Sequence, residues 1–219
     1  MHGQPMKKRI TILCTDPTHP VNQPLRAWVE GNSRDADLEI EICRDCGDLR
    51  GGDFLFLVSC HQIIRKPVRD LFRYTLVLHA SDLPAGRGMS PHIWQILGGA
   101  RNLTLSLLNA EDELDSGDIW SQLSFEVEAH ELYDEINGKL FNAELQLMDW
   151  ALANCDVVTP RKQSGDSSFF RKRVPADSQI DPRRPLVDSF DLLRVADPQR
   201  YPAWFEHLGH RFTIRIERA

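Results

Sequence analysis

What this sequence lacks narrows it at once. No apolar run approaches the roughly 20 residues that a membrane-spanning helix needs. No Gly-x-Gly-x-x-Gly follows the first apolar run, Ile10-Thr11-Ile12-Leu13-Cys14, so the glycine turn that cradles the pyrophosphate of a nicotinamide or flavin is missing. That run is also too short, and leads too soon into Asp16, to be a secretory core behind the basic start Lys7-Lys8-Arg9; it reads as a first strand, and the chain is expected in the cytoplasm. Positive charge is not in excess. The 26 Lys and Arg against 32 Asp and Glu leave a net charge of −6, which argues against a general nucleic-acid binder. Cys43 and Cys46 have Cys-x-x-Cys spacing but no second pair to complete a zinc site, and no metal is expected. Five cysteines, an odd number, read as reduced thiols.

What is present fits one well-filled domain, or one domain with a small appendage: 219 residues, 42% hydrophobic and 26% charged. Short apolar runs alternate with loops and helical stretches. Strands are predicted at Arg9 to Cys14, Leu38 to Cys43, Phe54 to Val58, Thr75 to Leu78, Leu103 to Leu108 and Ile119 to Phe125. Helices are predicted after Asn22, read as a cap, from Pro67 through Arg73, and from Pro91 to Leu97. The pattern is an abbreviated doubly wound, Rossmann-like α/β sheet, mostly parallel. Leu132, Ile136, Leu140, Ala143, Leu147 and Trp150 then recur at three- and four-residue steps, marking one long helix that ends near Cys155. From Thr159 to Arg184 the chain is polar, too long for a casual connection. The stretch from Trp204 to Ile216 reads as a hairpin turning at Leu208-Gly209-His210. The expected division is an α/β part over 1–158 and, over 159–219, a polar loop and hairpin extension.

The most informative residues lie in two loops. Leu78-His79-Ala80-Ser81-Asp82-Leu83-Pro84, with Arg87-Gly88 and Pro91, puts a histidine just past an apolar run. Leu114-Asp115-Ser116-Gly117-Asp118 puts a carboxylate just past another. Loops at strand ends are where open α/β sheets carry their chemistry. A histidine held by a carboxylate moves protons near neutral pH.

In order and interval, His-x-Ser-x-Leu-Pro, Arg-Gly-x-x-Pro and Leu-Asp-x-Gly-Asp resemble the folate-dependent formyltransferase family, over roughly Phe54 to Phe125. The resemblance implies a formyltransferase enzyme with N10-formyltetrahydrofolate as formyl donor and His79 and Asp115 as its catalytic pair. It implies donor contacts from the loop Ser59, Cys60, His61, Gln62 and Ile64, together with Ser81. Transfer to nitrogen needs a neutral amine, a donor for the oxygen that gains charge, and a carrier for the protons leaving one nitrogen and reaching the other.

One departure stands out. The family usually has Asn two residues before the histidine; this chain has Val77, which donates nothing. His61, Ser81 and Asn109 are the candidates to replace it.

For the acceptor, the acidic balance and the short stretch after the hairpin point away from tRNA. The segment from Phe170 to Asp181 is similar to the one that follows the catalytic core in sugar-nucleotide N-formyltransferases. Arg171 and Arg173 there, with Arg87, are assigned to the acceptor, because guanidinium groups suit a diphosphate. The leading reading is therefore N-formylation of a nucleotide-linked 4-amino-4,6-dideoxy sugar, by a chain that pairs with a small molecule and with neither nucleic acid nor membrane, and that assembles as a homodimer. Hydrolysis of formyltetrahydrofolate and a non-catalytic binding role, the latter favoured by Val77, are the alternatives.

Overall fold

A computed structural model describes residues 7–219. Residues 1–6 lie outside the described residues. The element order is β1 (Lys8–Leu13), α1 (Asn22–Asn32), β2 (Leu38–Cys43), β3 (Gly52–Leu57), α2 (Lys66–Arg69), β4 (Phe72–His79), β5 (Arg87–Gly88), α3 (Pro91–Leu97), β6 (Asn102–Asn109), β7 (Ile119–Glu126), α4 (Tyr133–Asn154), β8 (Phe169–Phe170), α5 (Phe190–Val195), β9 (Ala203–His207) and β10 (His210–Ile214).

Six strands form one sheet in the order β2-β1-β3-β4-β6-β7. Strands β1 to β4 are parallel, and β6 runs antiparallel to both β4 and β7. Period-two alternation decides what each face buries. Ile10, Ile12, Phe54, Phe56, Leu76 and Leu78 face α1 and α4, where they pack with Leu25, Leu140 and Met148. Leu13, Leu55 and Leu57 face the other way, against Cys43, Leu49, Ile64 and Phe72. Burial on both faces explains why β3 and β4 read as continuous apolar runs. Edge strand β2 alternates, as its Leu/Ile and Glu pattern predicts. The strand order reverses beside β1, so the crevice beyond the C-terminal ends of β1, β3 and β4 is the natural ligand site of such a sheet.

Several boundaries differ from expectation. Helix α2 stops at Arg69 rather than Arg73, because Phe72 already pairs with Gly52 in the sheet. Asn22 is not the cap of α1: its amide donates to the carbonyls of Asp16 and His19 and so fixes the turn that carries His19. The polar stretch 159–184 is a strap. Arg161 bridges to Ile119, and β8 pairs in parallel with β5, laying the strap across the His79 loop. The hairpin of β9 and β10 turns at Leu208 and Gly209, both with positive φ. Trp204 of β9 anchors it by donating its indole N–H to the Pro175 carbonyl at 2.7 Å. No described helix is long and apolar enough to cross a membrane.

Candidate active site

His79 is the last residue of β4, and 7% of it is exposed. Strand β6 is antiparallel, so its C-terminal end lies level with Leu76, midway along β4. The 110–118 loop must therefore double back to reach His79. Two features let it do so. Asp115 takes the left-handed conformation, φ 52°, and Gly117 lies so close to Asn109 that an added Cβ would stand 1.9 Å from the Asn109 carbonyl oxygen. The strap clamps the turn: the Gln163 amide donates to the carbonyls of Asp115 and Gly117 at 2.7 and 2.9 Å.

These constraints set the Asp115 carboxylate 3.5 Å from His79 Nδ1, both side chains almost wholly buried. The same carboxylate oxygen accepts the Gly88 N–H at 2.9 Å. On the far side of the ring, Nε2 lies 2.9 Å from the Gly86 carbonyl. A carbonyl only accepts, so Nε2 carries a hydrogen and Nδ1 is the nitrogen that faces the Asp115 carboxylate. Gly88 is required here: a Cβ would meet the Phe170 carbonyl oxygen at 2.2 Å, and its φ is 102°.

A cleft of about 330 Å³ opens over His79 and Asp115. It straddles the C-terminal edge of the sheet and so has two lobes. The first lobe, on the face away from α4, is bounded by Leu57, Val77, Ala110 and the loop from Ser59 to Ile64. Ser59 is left-handed with φ 47°, and the N–H groups of Gln62, Ile63 and Ile64 donate to no group among the described residues. The His61 N–H is held by Thr15 Oγ1 at 2.9 Å, which leaves its imidazole free at the rim. Burial raises the Cys60 thiol above its ordinary range, which fits a filler and not a nucleophile.

The second lobe, on the α4 side, is walled by His19, Phe141, Asn137, Glu144, His92 and Arg173. The His19 and Phe141 rings meet edge-on at 5.8 Å. Burial first, then the charge of Arg200, lowers His19 to about 4; burial first, then the nearby histidines and Arg173, lowers His92 to about 4. Both rings are neutral at physiological pH.

The structure thus brings together His79, Asp115, Ser59, Cys60, His61, Gln62, Ile64 and Arg173 around one cleft. It places three other sequence candidates elsewhere. Ser81 is sealed beneath the loop, its carbonyl accepting from Ser106 Oγ at 2.6 Å, and does not line the cleft. Arg87 is occupied by Glu113 at 3.0 Å and by Gln163 at 2.8 Å, and so braces the strap. Arg171 grips Asp177 through two bonds of 2.5 and 2.7 Å while its guanidinium lies 4.9 Å from the Trp94 ring centre, outside the cleft. Of the candidates to replace the missing amide at position 77, Asn109 pairs opposite Leu76, which turns its side chain to the α4 face, and its oxygen is taken by the Trp120 indole at 2.8 Å. His61 and the Asn109 Nδ2 group each keep a donor without a partner among the described residues, but the register sets Asn109 on the α4 side, whereas His61 lies on the side of Val77.

Sequence reasoning missed Gln163, Glu144, His19 and His92. Gln163 left no local signal. Glu144, however, sits on the apolar stripe of a helix, where a lone carboxylate breaks the pattern.

Comparison with known proteins agrees with this geometry. Residues 29–152, more than half of the chain, match the family model described as formyl transferase. The methionyl-tRNA formyltransferase of Rickettsia felis is 31% identical over 123 residues, which is 56% of this chain and 41% of that protein, so the chain spans about two fifths of the length of the curated relatives it matches. Among solved structures, the methionyl-tRNA formyltransferase from Clostridium thermocellum superposes with a TM-score of 0.81 at 22% identity, over 95% of this chain and 92% of the other. HypX from Aquifex aeolicus, in complex with tetrahydrofolic acid, gives 0.79 at 20% identity, over 95% and 37%. A 4-N formyltransferase from Francisella tularensis gives 0.76 at 16% identity, over 96% and 97%. The fold, the strand-end cleft and the extent of the match agree: the chain belongs to the formyl transferase family.

Proposed function

We propose that this protein moves a formyl group from N10-formyltetrahydrofolate to the amine of a nucleotide-activated amino-deoxy sugar. The observation that carries the reading is the buried His79–Asp115 pair at the floor of a cleft with two chemically different lobes. The first lobe fits a pterin. Leu57, Val77 and Ile64 give it apolar walls, and the unpaired N–H groups of Gln62 to Ile64 supply the edge that an amide-like heterocycle needs. When bound there, the donor supplies an activated one-carbon unit.

The chain's own residues do the rest. His79 Nδ1 and the Asp115 carboxylate hold and release a proton between the incoming and departing nitrogens. Gly88 N–H and Gly86 carbonyl lock the orientation of both, so no reorganisation is needed during transfer. His61, at the rim of the donor lobe, provides the hydrogen bond to the formyl oxygen that Val77 cannot. Arg173, which lines the second lobe with its Nε unpaired, meets the acceptor's phosphates, with Lys172 beside it. Arg171 and Arg87 are proposed to act at a distance, holding the strap that carries Arg173 and the loop that carries Asp115.

The curated relatives favour a second acceptor, the amine of methionyl-tRNA. A single-turnover assay separates the readings. With N10-formyltetrahydrofolate and UDP-4-amino-4,6-dideoxyglucose, the expected product is the formylated sugar amine. Formyl-methionyl-tRNA from a parallel reaction would identify the second acceptor, free formate in both would mean hydrolysis, and no turnover would mean a binding protein.

A further inference from the structure

Helix α4 turns Asn137, Leu140, Phe141 and Glu144 into the second lobe, at steps of three, one and three that place them on one helical face. Leu140 and Phe141 belong to the apolar core of the helix. Glu144 does not. It is 6% exposed, and its Oε2 is sealed from solvent with no hydrogen-bond partner among the described residues. No described Lys, Arg or His forms an ion pair with it within 4.0 Å. The proposed mechanism leaves this carboxyl unused.

An unpartnered carboxyl in a wall of the cleft is costly unless a ligand completes it. The lobe also states what that ligand group must be. Of the other charged groups lining this side, Asp197 is engaged by the Tyr133 hydroxyl and the N–H groups of Gln199 and Arg200, Arg200 by Asp16, and Arg173 by the Asp177 carbonyl and Ser178. With His19 and His92 neutral, Glu144 is the acidic group left for a compact cation with several N–H donors. We propose that Glu144 receives the amino group of the acceptor, which enters as an ammonium ion, and takes its first proton.

The inference rests on the formyl-transfer reading for what happens next, but not for the binding step. At pH 7 the empty carboxyl holds a proton; as the ammonium enters, that proton passes to solvent, the N–H bond of the ammonium breaks, a new O–H bond forms on Glu144, and a neutral amine with its lone pair is left facing the donor lobe. Burial alone pushes the Glu144 carboxyl up to about 8, so the lobe favours the neutral acid and neutral amine over the charged pair. The second nitrogen proton leaves later, through His79 and Asp115. Glu144 keeps the proton it has taken when product departs, which restores its starting state, so the overall reaction releases one proton, the one given up as the ammonium binds.

Calorimetry on the whole chain tests this with cyclohexylamine and cyclohexanol, which differ only in the group that Glu144 would meet. At pH 7 the unmodified protein should prefer the amine by roughly tenfold, the scale of one added hydrogen bond. Because the empty carboxyl and the free ammonium together hold one proton more than the bound pair, amine binding should release close to one proton, read from the heat in phosphate against Tris; cyclohexanol should release none. Glu144→Gln should erase the preference and leave cyclohexanol binding unchanged. Its formyl transfer to UDP-4-amino-4,6-dideoxyglucose should show a raised KM and a rate that climbs with pH along the amine's own titration. Proton release is measured on the unmodified protein, so a poorly folding variant does not protect the proposal. Amine preference that survives Glu144→Gln, the absence of proton release, or failure of both cyclohexyl probes to bind each overturns it. If the sugar is formylated while Glu144→Gln behaves as wild type, Glu144 falls and formyl transfer stands. If the cyclohexyl probes behave as expected while no sugar is formylated, the amine pocket stands and the sugar acceptor falls.

Discussion

The two walls of the cleft differ in how their polar groups are satisfied. On the His79 and Asp115 wall the polar atoms are tied down by protein: Gly88 N–H to the carboxylate, Gly86 carbonyl to the imidazole, and Gln163 to two carbonyls of the loop. The backbone there is strained to make this so, with Asp115 left-handed and no room for a side chain at Gly117. On the α4 wall, Glu144 Oε2 and Arg173 Nε are buried and unpaired. A group that must act on whatever is bound is best fixed in advance, whereas a group that must recognise a ligand keeps its bonding capacity free. On the proposed function, the first wall serves the reaction and the second the acceptor.

The largest test of this contrast lies on the tied wall. His79→Ala and Asp115→Asn should each lower kcat by about 1,000-fold, within the range removed with a proton carrier, while far-UV circular dichroism and thermal unfolding stay close to wild type. A near-normal kcat from a folded variant would break the contrast.

The unpaired wall predicts an unusual stability profile. Burial raises the Glu144 carboxyl from 4.5 to about 8, so the folded state binds a proton that the unfolded state releases. Stability is full below pH 4.5 and is lost as pH rises from there to 8. Glu144→Gln should remove that limb and be more stable at pH 8 by up to about 4 kcal/mol in urea unfolding. His19 and His92 act in the opposite sense. Lowered from 6.5 to about 4, they keep stability intact above pH 6.5 and forfeit it as pH falls from 6.5 to 4. That acid limb should persist in the variant.

Backbone strain gives a smaller, purely structural effect. Gly117→Ala must push its Cβ away from the Asn109 carbonyl and should cost about 3 kcal/mol by urea titration. The two strap arginines sharpen the comparison most finely. Arg173→Ala should raise the acceptor KM by about tenfold with kcat little changed, the mark of lost ground-state binding. Arg171→Ala, outside the cleft, should leave KM within about twofold and lower only the melting temperature.

Much of this was legible in the sequence, for physical reasons. Strands buried on both faces advertise themselves as apolar runs, so β3, β4 and β6 were found to within two residues at each end apart from the start of β4. Helix α3 was found end to end because Pro91 opens it and Gly98 follows it. The pairing of His79 with Asp115 was legible through motif order. What was not legible depends on contacts remote in sequence. Nothing local to Gln163 says that it clamps a loop 46 residues away. Arg171 and Arg173 are near neighbours of the same type, yet only the fold gives one to the Asp177 carboxylate and turns the other inward, where it also reaches the Asp177 carbonyl and Ser178. Position 77 could be read as a missing donor, but choosing His61 over Asn109 needed the strand register.

The central claim is that the Asp115 carboxylate and His79 carry the proton while a formyl group changes nitrogen. Its most direct test is a single turnover of N10-formyltetrahydrofolate with UDP-4-amino-4,6-dideoxyglucose, followed by mass spectrometry of the sugar, for wild type and Asp115→Asn. The account predicts a 28-dalton gain on the sugar with wild type and almost none with the folded variant. Equal gains from both would contradict it.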